Sequence, residues 1–311
     1  MDTDLWPDLP YAAWSDTATT LQLWTQIVGK VRLRLTPWIN HGWQATLYVT
    51  ARGLSTGAIP IGGEILEIEF DFIGQRLIAR TSRGDEQAFA LEPQTVSDFY
   101  HRVGDLLNGI GVSVHINGMP SELSNPIAFS QDTVHRVYDP AAAHRFWRAL
   151  IQIDRVFRQF RTGFIGKVSP VHFFWGSFDL AMTRFSGRKA PLHPGGIPGL
   201  PDAITREAYS HELSSAGFWP GNAGFPQAAF YSYAYPEPAG FRYRPVPQGA
   251  YFDPSIGEFI LPYDVVRAAA DPDALLLDFL NSTYDAAADA GKWDRAALDC
   301  PMGIPGRVRP M

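Results

Sequence analysis

The chain has 311 residues, a formal net charge of −6, 46% apolar and 13% aromatic residues, and one cysteine, Cys300. That is enough chain for one large domain or two ordinary ones with a substantial core, and it excludes a disordered chain and an internal disulfide framework. The acidic balance argues against a nucleic-acid partner, which calls for a basic stripe, and no apolar run approaches the ~18 residues that span a bilayer.

Met1–Pro10 is acidic and broken by prolines, with no basic start to an apolar run, so no signal peptide is expected and cytoplasm is the expected location. A first helix follows, with Trp14, Leu21, Trp24 and Val28 on one stripe. It is predicted to end at Gly29-Lys30-Val31, glycine serving as the C-cap and lysine meeting the negative end of the helix dipole. Trp43, preceded by His41, leads into a strand through Leu47 and Val49. Glu64–Phe72 alternates strictly, which predicts a strand with Glu67, Glu69 and Asp71 on a solvated face. A short strand ends at Pro93, and a helix carries Val96, Phe99, Val103, Leu106 and Leu107. Gly109-Ile110-Gly111 follows that helix rather than opening one, so it is not a dinucleotide loop.

Residues 119–138, with Pro120 and Pro126, read as a linker. Asp139-Pro140 then gives an N-cap and a proline at the first helical position. The helix buries Phe146, Leu150, Ile153, Phe157 and Phe160, its arginines forming a solvated or interdomain face, and is predicted to run up to Gly166-Lys167-Val168 with Gly166 as its C-cap. A strand from His172 is expected to place His172 with Phe174, Phe178 and Leu180, and Trp175, Ser177 and Asp179 on the other face. Residues 185–227 read as a long insertion with a short helix; Ser214 and Ser215 are expected in turns or caps. Then come a strand with Tyr231, Tyr233 and Tyr235 in a row, a short strand at Phe259–Pro262, a helix through Leu276, Phe279, Leu280 and Tyr284, and a loose tail over 299–311.

The order of these elements repeats. Each half reads helix, Gly-Lys-Val, tryptophan, three to four antiparallel strands, helix. The expected fold is therefore α+β, a tandem internal duplication over 1–118 and 139–298 packed as a pseudo-twofold pair.

The stretches Leu23-Trp24-Thr25-Gln26-Ile27-Val28-Gly29-Lys30-Val31, His172-Phe173-Phe174-Trp175-Gly176-Ser177-Phe178-Asp179 and Tyr209-Ser210-His211-Glu212 carry a family resemblance, as do Ala216–Gly221 and Tyr235–Gly240. The chain resembles an uncharacterised bacterial family, domain of unknown function 5996, over nearly all its length. That resemblance implies membership and no activity.

Function is sought where the halves differ, at the aromatic insertion of the second. The expected protein binds a small molecule and is an enzyme with a His/carboxylate site; the alternative is a non-catalytic binding module with an aromatic pocket. His211 is the candidate acid/base, beside Glu212; His172 and Asp179 are further catalytic candidates. Arg184 and Arg188 are candidates to hold an anion, and Trp219, Tyr231, Tyr233 and His41 to line the pocket. The zinc-protease spacing fails because Ser215 stands four residues after His211, and a His/carboxylate metal site remains a variant of the enzyme reading. Cofactor and oligomeric state are not legible.

Overall fold

The computed structural model describes residues 5–309; the first four residues, and the end of the tail at 310–311, lie outside it. Helix α1 (Tyr11–Leu35) precedes strands β1 (Tyr48–Val49), β2 (Gly53–Ser55), β3 (Ile59–Ile61), β4 (Glu64–Asp71), β5 (Arg76–Thr81) and β6 (Glu86–Ala90), then α2 (Val96–Gly109). The second half opens with α3 (Pro140–Arg161), then β7 (His172–Phe174), β8 (Asp179–Lys189), α4 (Asp202–Ala208), β9 (His211–Trp219) and β10 (Ala229–Tyr235). It closes with β11 (Tyr251–Asp253), β12 (Glu258–Pro262), α5 (Tyr263–Arg267), α6 (Pro272–Ala290) and α7 (Arg295–Leu298). No helix among the described residues is long and apolar enough to cross a membrane.

The architecture is α+β with two antiparallel sheets, β1-β2-β4-β5-β6 with β3 added to β4, and β7-β8-β9-β10-β12-β11. The sheets meet edge to edge: Leu47 and Phe173 exchange both backbone hydrogen bonds, each 2.9 Å, as an antiparallel bridge between β1 and β7. One face of the second sheet presents Leu180, Met182, Phe218 and Phe230 to the main core shared with α3 and α6. The opposite face carries a smaller cluster of Ala181, Ala229, Tyr231 and Ile260.

Helix starts follow local chemistry. Thr95 accepts from the Asp98 amide at α2, Asp139 from Ala141 at α3, and Asp271 from Ala274 at α6, the last two followed by proline at the first helical position. The Gly-Lys-Val motifs do not end helices. α1 runs through Gly29-Lys30-Val31 to Leu35, and α3 stops at Arg161, before Gly166. Gly29 serves packing instead: a Cβ there would stand 2.2 Å from the Trp175 indole, so the missing side chain lets that ring lie on the helix.

Other expectations are corrected. The chain reverses at Trp175–Phe178, with Phe178 at φ 60°, so β7 and β8 are two strands and Asp179 faces the same side as Phe174, its cross-strand partner. The 185–227 stretch is not one insertion. β8 continues to Lys189 and β9 fills the gap to β10, leaving an excursion of about 190–210. His211 and Glu212 therefore begin a strand rather than a helix, and Ser214 and Ser215 are buried strand residues. The acidic face of β4 is not solvated: Asp71 pairs with Arg52 at 2.7 Å, Glu69 with Arg80 at 3.3 Å, and Ser55 donates to Glu67 at 2.6 Å. The linker is anchored, with Gln26 and Ser121 exchanging hydrogen bonds of 3.0 and 2.8 Å. The tail begins tied to α3: Cys300 donates its amide to Gly163 and Gly303 to the Thr162 hydroxyl.

Candidate functional site

The free face of the second sheet floors a cavity of about 350 Å³. Cross-strand pairing lays out the floor. One row runs Ala181, Gly217, Tyr231, Ile260; the next runs Thr183, Ser215, Tyr233. Small residues on β9 leave room for aromatic rings from β10. A Cβ on Gly217 would stand 2.2 Å from the Tyr231 hydroxyl, so Tyr231 crosses β9 over the glycine and reaches Asp179 on β8. Trp219 stacks on Tyr231 at 4.4 Å and 27°.

The excursion roofs the cavity with Ile197, Leu200, Ile204 and Tyr209, whose hydroxyl meets that of Tyr233 at 2.8 Å. One wall comes from the first half, through Trp38 and His41–Ala45. Glu207 of α4 ties roof to wall: Trp38 donates its indole N–H at 2.7 Å and His41 its amide at 3.2 Å to the two carboxylate oxygens.

Three carboxyl groups line the cavity. Asp179 is 4% exposed and accepts from Ser177 at 2.5 Å and from Tyr231. Burial pushes it up to about 6 against those two donors. Glu122, from the former linker, is pushed up to about 7 by burial and then by the Asp179 charge, with Lys30 opposing. Glu258, at the start of β12, is pushed up to about 8 by burial and by Asp179 and Asp253. Among the described residues, Glu258 Oε2 is buried without a hydrogen-bond partner. Lys30, whose charge acts on Glu122, donates to Ser121 at 3.0 Å and lies 5.5 Å from the Trp175 ring. Burial lowers it to about 8.

His41 occupies the other end of β8, stacked at 4.5 Å on Phe185, six residues and so about 20 Å from Asp179 along the strand. Its Nδ1–H donates to Ala208 at 3.0 Å, and its Nε2 accepts from Lys167 at 2.5 Å. Burial, then the lysine charge, lowers its pKa and holds the ring neutral. His41 and Glu122 both sit at left-handed backbone angles, φ 64° and 60°. Such strain in non-glycine residues concentrates at functional sites.

The sequence-derived candidates divide. Asp179, Trp219, Tyr231, Tyr233 and His41 line the cavity. His172 lies beside it, 1% exposed, its ring against Trp43, Tyr48 and Phe174. Burial and the charges of Arg32 and Arg161 lower it to about 3, so it is a neutral packing residue. His211 is outside the lining, its Nδ1 3.0 Å from the Ser210 hydroxyl. Glu212 pairs with Arg188 at 2.7 Å, and Arg188 also donates to the carbonyls of Gly291 and Lys292. Arg184 faces the other side of the sheet, 3.6 Å from the Phe160 ring and bonded to its carbonyl, so it holds no anion in the cavity. Glu122, Glu258, Trp38 and Trp175 are lining residues that sequence reasoning did not select. Glu258 had a signal, since it alternates with Ile260 on an otherwise apolar strand; Glu122 had none. Among the described residues no group of three or more His, Cys, Asp or Glu side chains is arranged to hold a metal ion.

Residues 6–300 match the family described as "Family of unknown function (DUF5996)". The chain belongs to that family. No curated protein and no solved structure matches the chain. Within DUF5996, then, the chemistry of this cavity is the available guide to what the protein does.

Proposed function

We propose that this DUF5996 protein binds a small organic molecule in the cavity over the second sheet, and that Asp179 is positioned to exchange a proton with it. The observation that carries the reading is the set of carboxyl groups from three separate segments, Glu122, Asp179 and Glu258, turned into one aromatic-walled space. Burying such groups is costly without partners, and a fold retains them where a ligand supplies the partners. The volume falls at the lower end of ordinary small-ligand pockets. For acid/base work, Asp179 has the needed features: it is oriented by Ser177 and Tyr231, and burial brings it toward neutrality. The alternative, a non-catalytic binding module, draws on the Trp219–Tyr231 stack, which gives a flat gripping surface.

A thermal-shift screen of small molecules against the wild type and D179N tests both. The binding reading expects compounds that stabilise the wild type and lose that effect in W219A. Compounds that bind both proteins but are turned over only by the wild type favour the enzyme. A screen in which no stabilising compound responds to W219A or D179N overturns the assignment of the cavity.

We further propose that the two halves descend from one duplicated unit. Both sheets are antiparallel, β4, β5 and β6 following one another in the first as β7, β8, β9 and β10 do in the second, and they meet through Leu47 and Phe173. The lysine of each Gly-Lys-Val motif lies over the tryptophan of the other half, Lys30 at 5.5 Å from Trp175 and Lys167 at 5.6 Å from Trp43. In this reading the cavity grew where the halves meet, the second sheet giving the floor and the first half a wall.

A further inference from the structure

We infer that the ligand is an organic cation, specifically a primary amine whose ammonium group is held at the acidic lining that Asp179, Glu122 and Glu258 give the cavity and whose apolar body lies against Trp219 and Tyr231. This rests on the small-molecule reading above and names the class of molecule. The first support is charge. Three acidic groups from β8, β12 and the segment before α3 share the space, and among the described residues no side-chain cation lies within ion-pair distance of any of them. Lys30 is held away on Ser121, and the Lys167–His41 pair is at the far end of β8. The second is hydrogen-bond balance. Asp179 already has two donors, whereas Glu258 Oε2 is buried with none. Carboxylates accept and an ammonium carries N–H donors, so a primary amine matches the deficit in sign, where a quaternary ammonium would leave the oxygen unsatisfied. The third is the walls: Trp175, Trp219 and Tyr231 line the cavity with aromatic surface that covers an alkyl stem. A neutral polyol would supply donors without the charge that favours the ionised carboxylates.

Titration calorimetry on the full chain tests this with propylamine, hexylamine and phenethylamine, each paired with the alcohol of the same skeleton. At neutral pH at least one amine should bind about tenfold or more tighter than its alcohol, the scale expected of a charge-assisted hydrogen bond in a buried site. E258Q, isosteric but uncharged, should reduce the amine's advantage over its alcohol several-fold; its melting temperature checks that it folds. Repeating the amine titration in two buffers of different ionisation heat should show protons released on binding, because the ammonium favours ionised carboxylates. The charged and titratable groups facing the cluster are Lys30 beside Glu122, Asp253 beside Glu258, and Tyr209, Tyr231 and Tyr233. Amine and alcohol binding with equal affinity, or glucose in preference to both, overturns the cation inference while leaving a small-molecule cavity. No binding of any of these, together with a W219A-insensitive screen, removes both.

Discussion

Glu122 holds its backbone at φ 60° and places a poorly solvated carboxyl on the cavity that Asp179 and Glu258 also line. Neither helps the protein fold. A left-handed non-glycine residue costs about 1–2 kcal/mol, which glycine avoids. E122G should therefore raise the melting temperature of the free protein by about 2–4 °C while weakening amine binding, a trade of stability against function measurable by calorimetry. A lower melting temperature in E122G would mean that the side chain is structural. Glu258 gives a related expectation in pH. Its pKa is about 8 in the fold against 4.5 ordinarily, so its protonated form stabilises the native state. That contribution is complete below about pH 4.5 and is lost as pH rises through 8. His172 has the opposite sign, because its folded value of about 3 lies below the ordinary 6.5, and its contribution is lost as pH falls from 6.5 toward 3. The net profile mixes both, so the informative quantity is the difference between E258Q and wild type. E258Q should match wild type near pH 4 and exceed it by about 1–2 kcal/mol at pH 9, after allowance for water in the cavity. Urea denaturation at the two pH values measures it, and a pH-independent difference would refute it.

At the scale of elements, β9 shows why the sequence concealed part of the site. Ser214-Ser215-Ala216-Gly217 has little strand propensity, so the stretch reads as loop. Its smallness has a tertiary cause, the rings of Tyr231 and Tyr233 lying across it from β10, and no local pattern reports that. The alternating tyrosines of β10 and the stripes of α2, α3 and α6 were legible because burial there follows the period of the element. The inward polar row Gln22, Gln26, Lys30 on α1 was not, since a buried polar stripe and a solvated one look alike in sequence; here it grips Gly176 and Ser121 beside the cavity. G217A tests the account of β9. The new methyl group must displace Tyr231 from Asp179, an overpacking cost of about 1–3 kcal/mol. Propensity alone would have alanine neutral or stabilising in a strand. An unchanged denaturation midpoint would show that Tyr231 does not need the glycine.

For the whole molecule, the consequence is that the cavity has one part from each half, and the Glu207 carboxylate is one of the points that fasten them. The roof around α4 belongs to the second half; Trp38 and His41, which Glu207 engages, belong to the first. α4 has only seven residues and packs mainly on the 3-10 turn at Asn40–Ala45, so its hold on the body is limited in area. Short, lightly packed segments open at lower free energy than the sheets they cover. Removing the Glu207 carboxylate deletes two hydrogen bonds to a partly exposed acceptor, worth about 1–2 kcal/mol to the closed roof. The core does not depend on them, so E207A should leave global denaturation within about 0.5 kcal/mol of wild type. Amide hydrogen exchange over 197–209 should then accelerate about five- to thirty-fold, the same energy expressed as an opening equilibrium, with β8 and β10 unchanged. Amine association and dissociation should both quicken in E207A if entry is under this roof, while the affinity set by Asp179 and Glu258 falls little. Unaltered exchange over 197–209 would mean that the roof is held by Ile197, Leu200 and Ile204 on the cavity's aromatic walls, and that the ligand enters elsewhere.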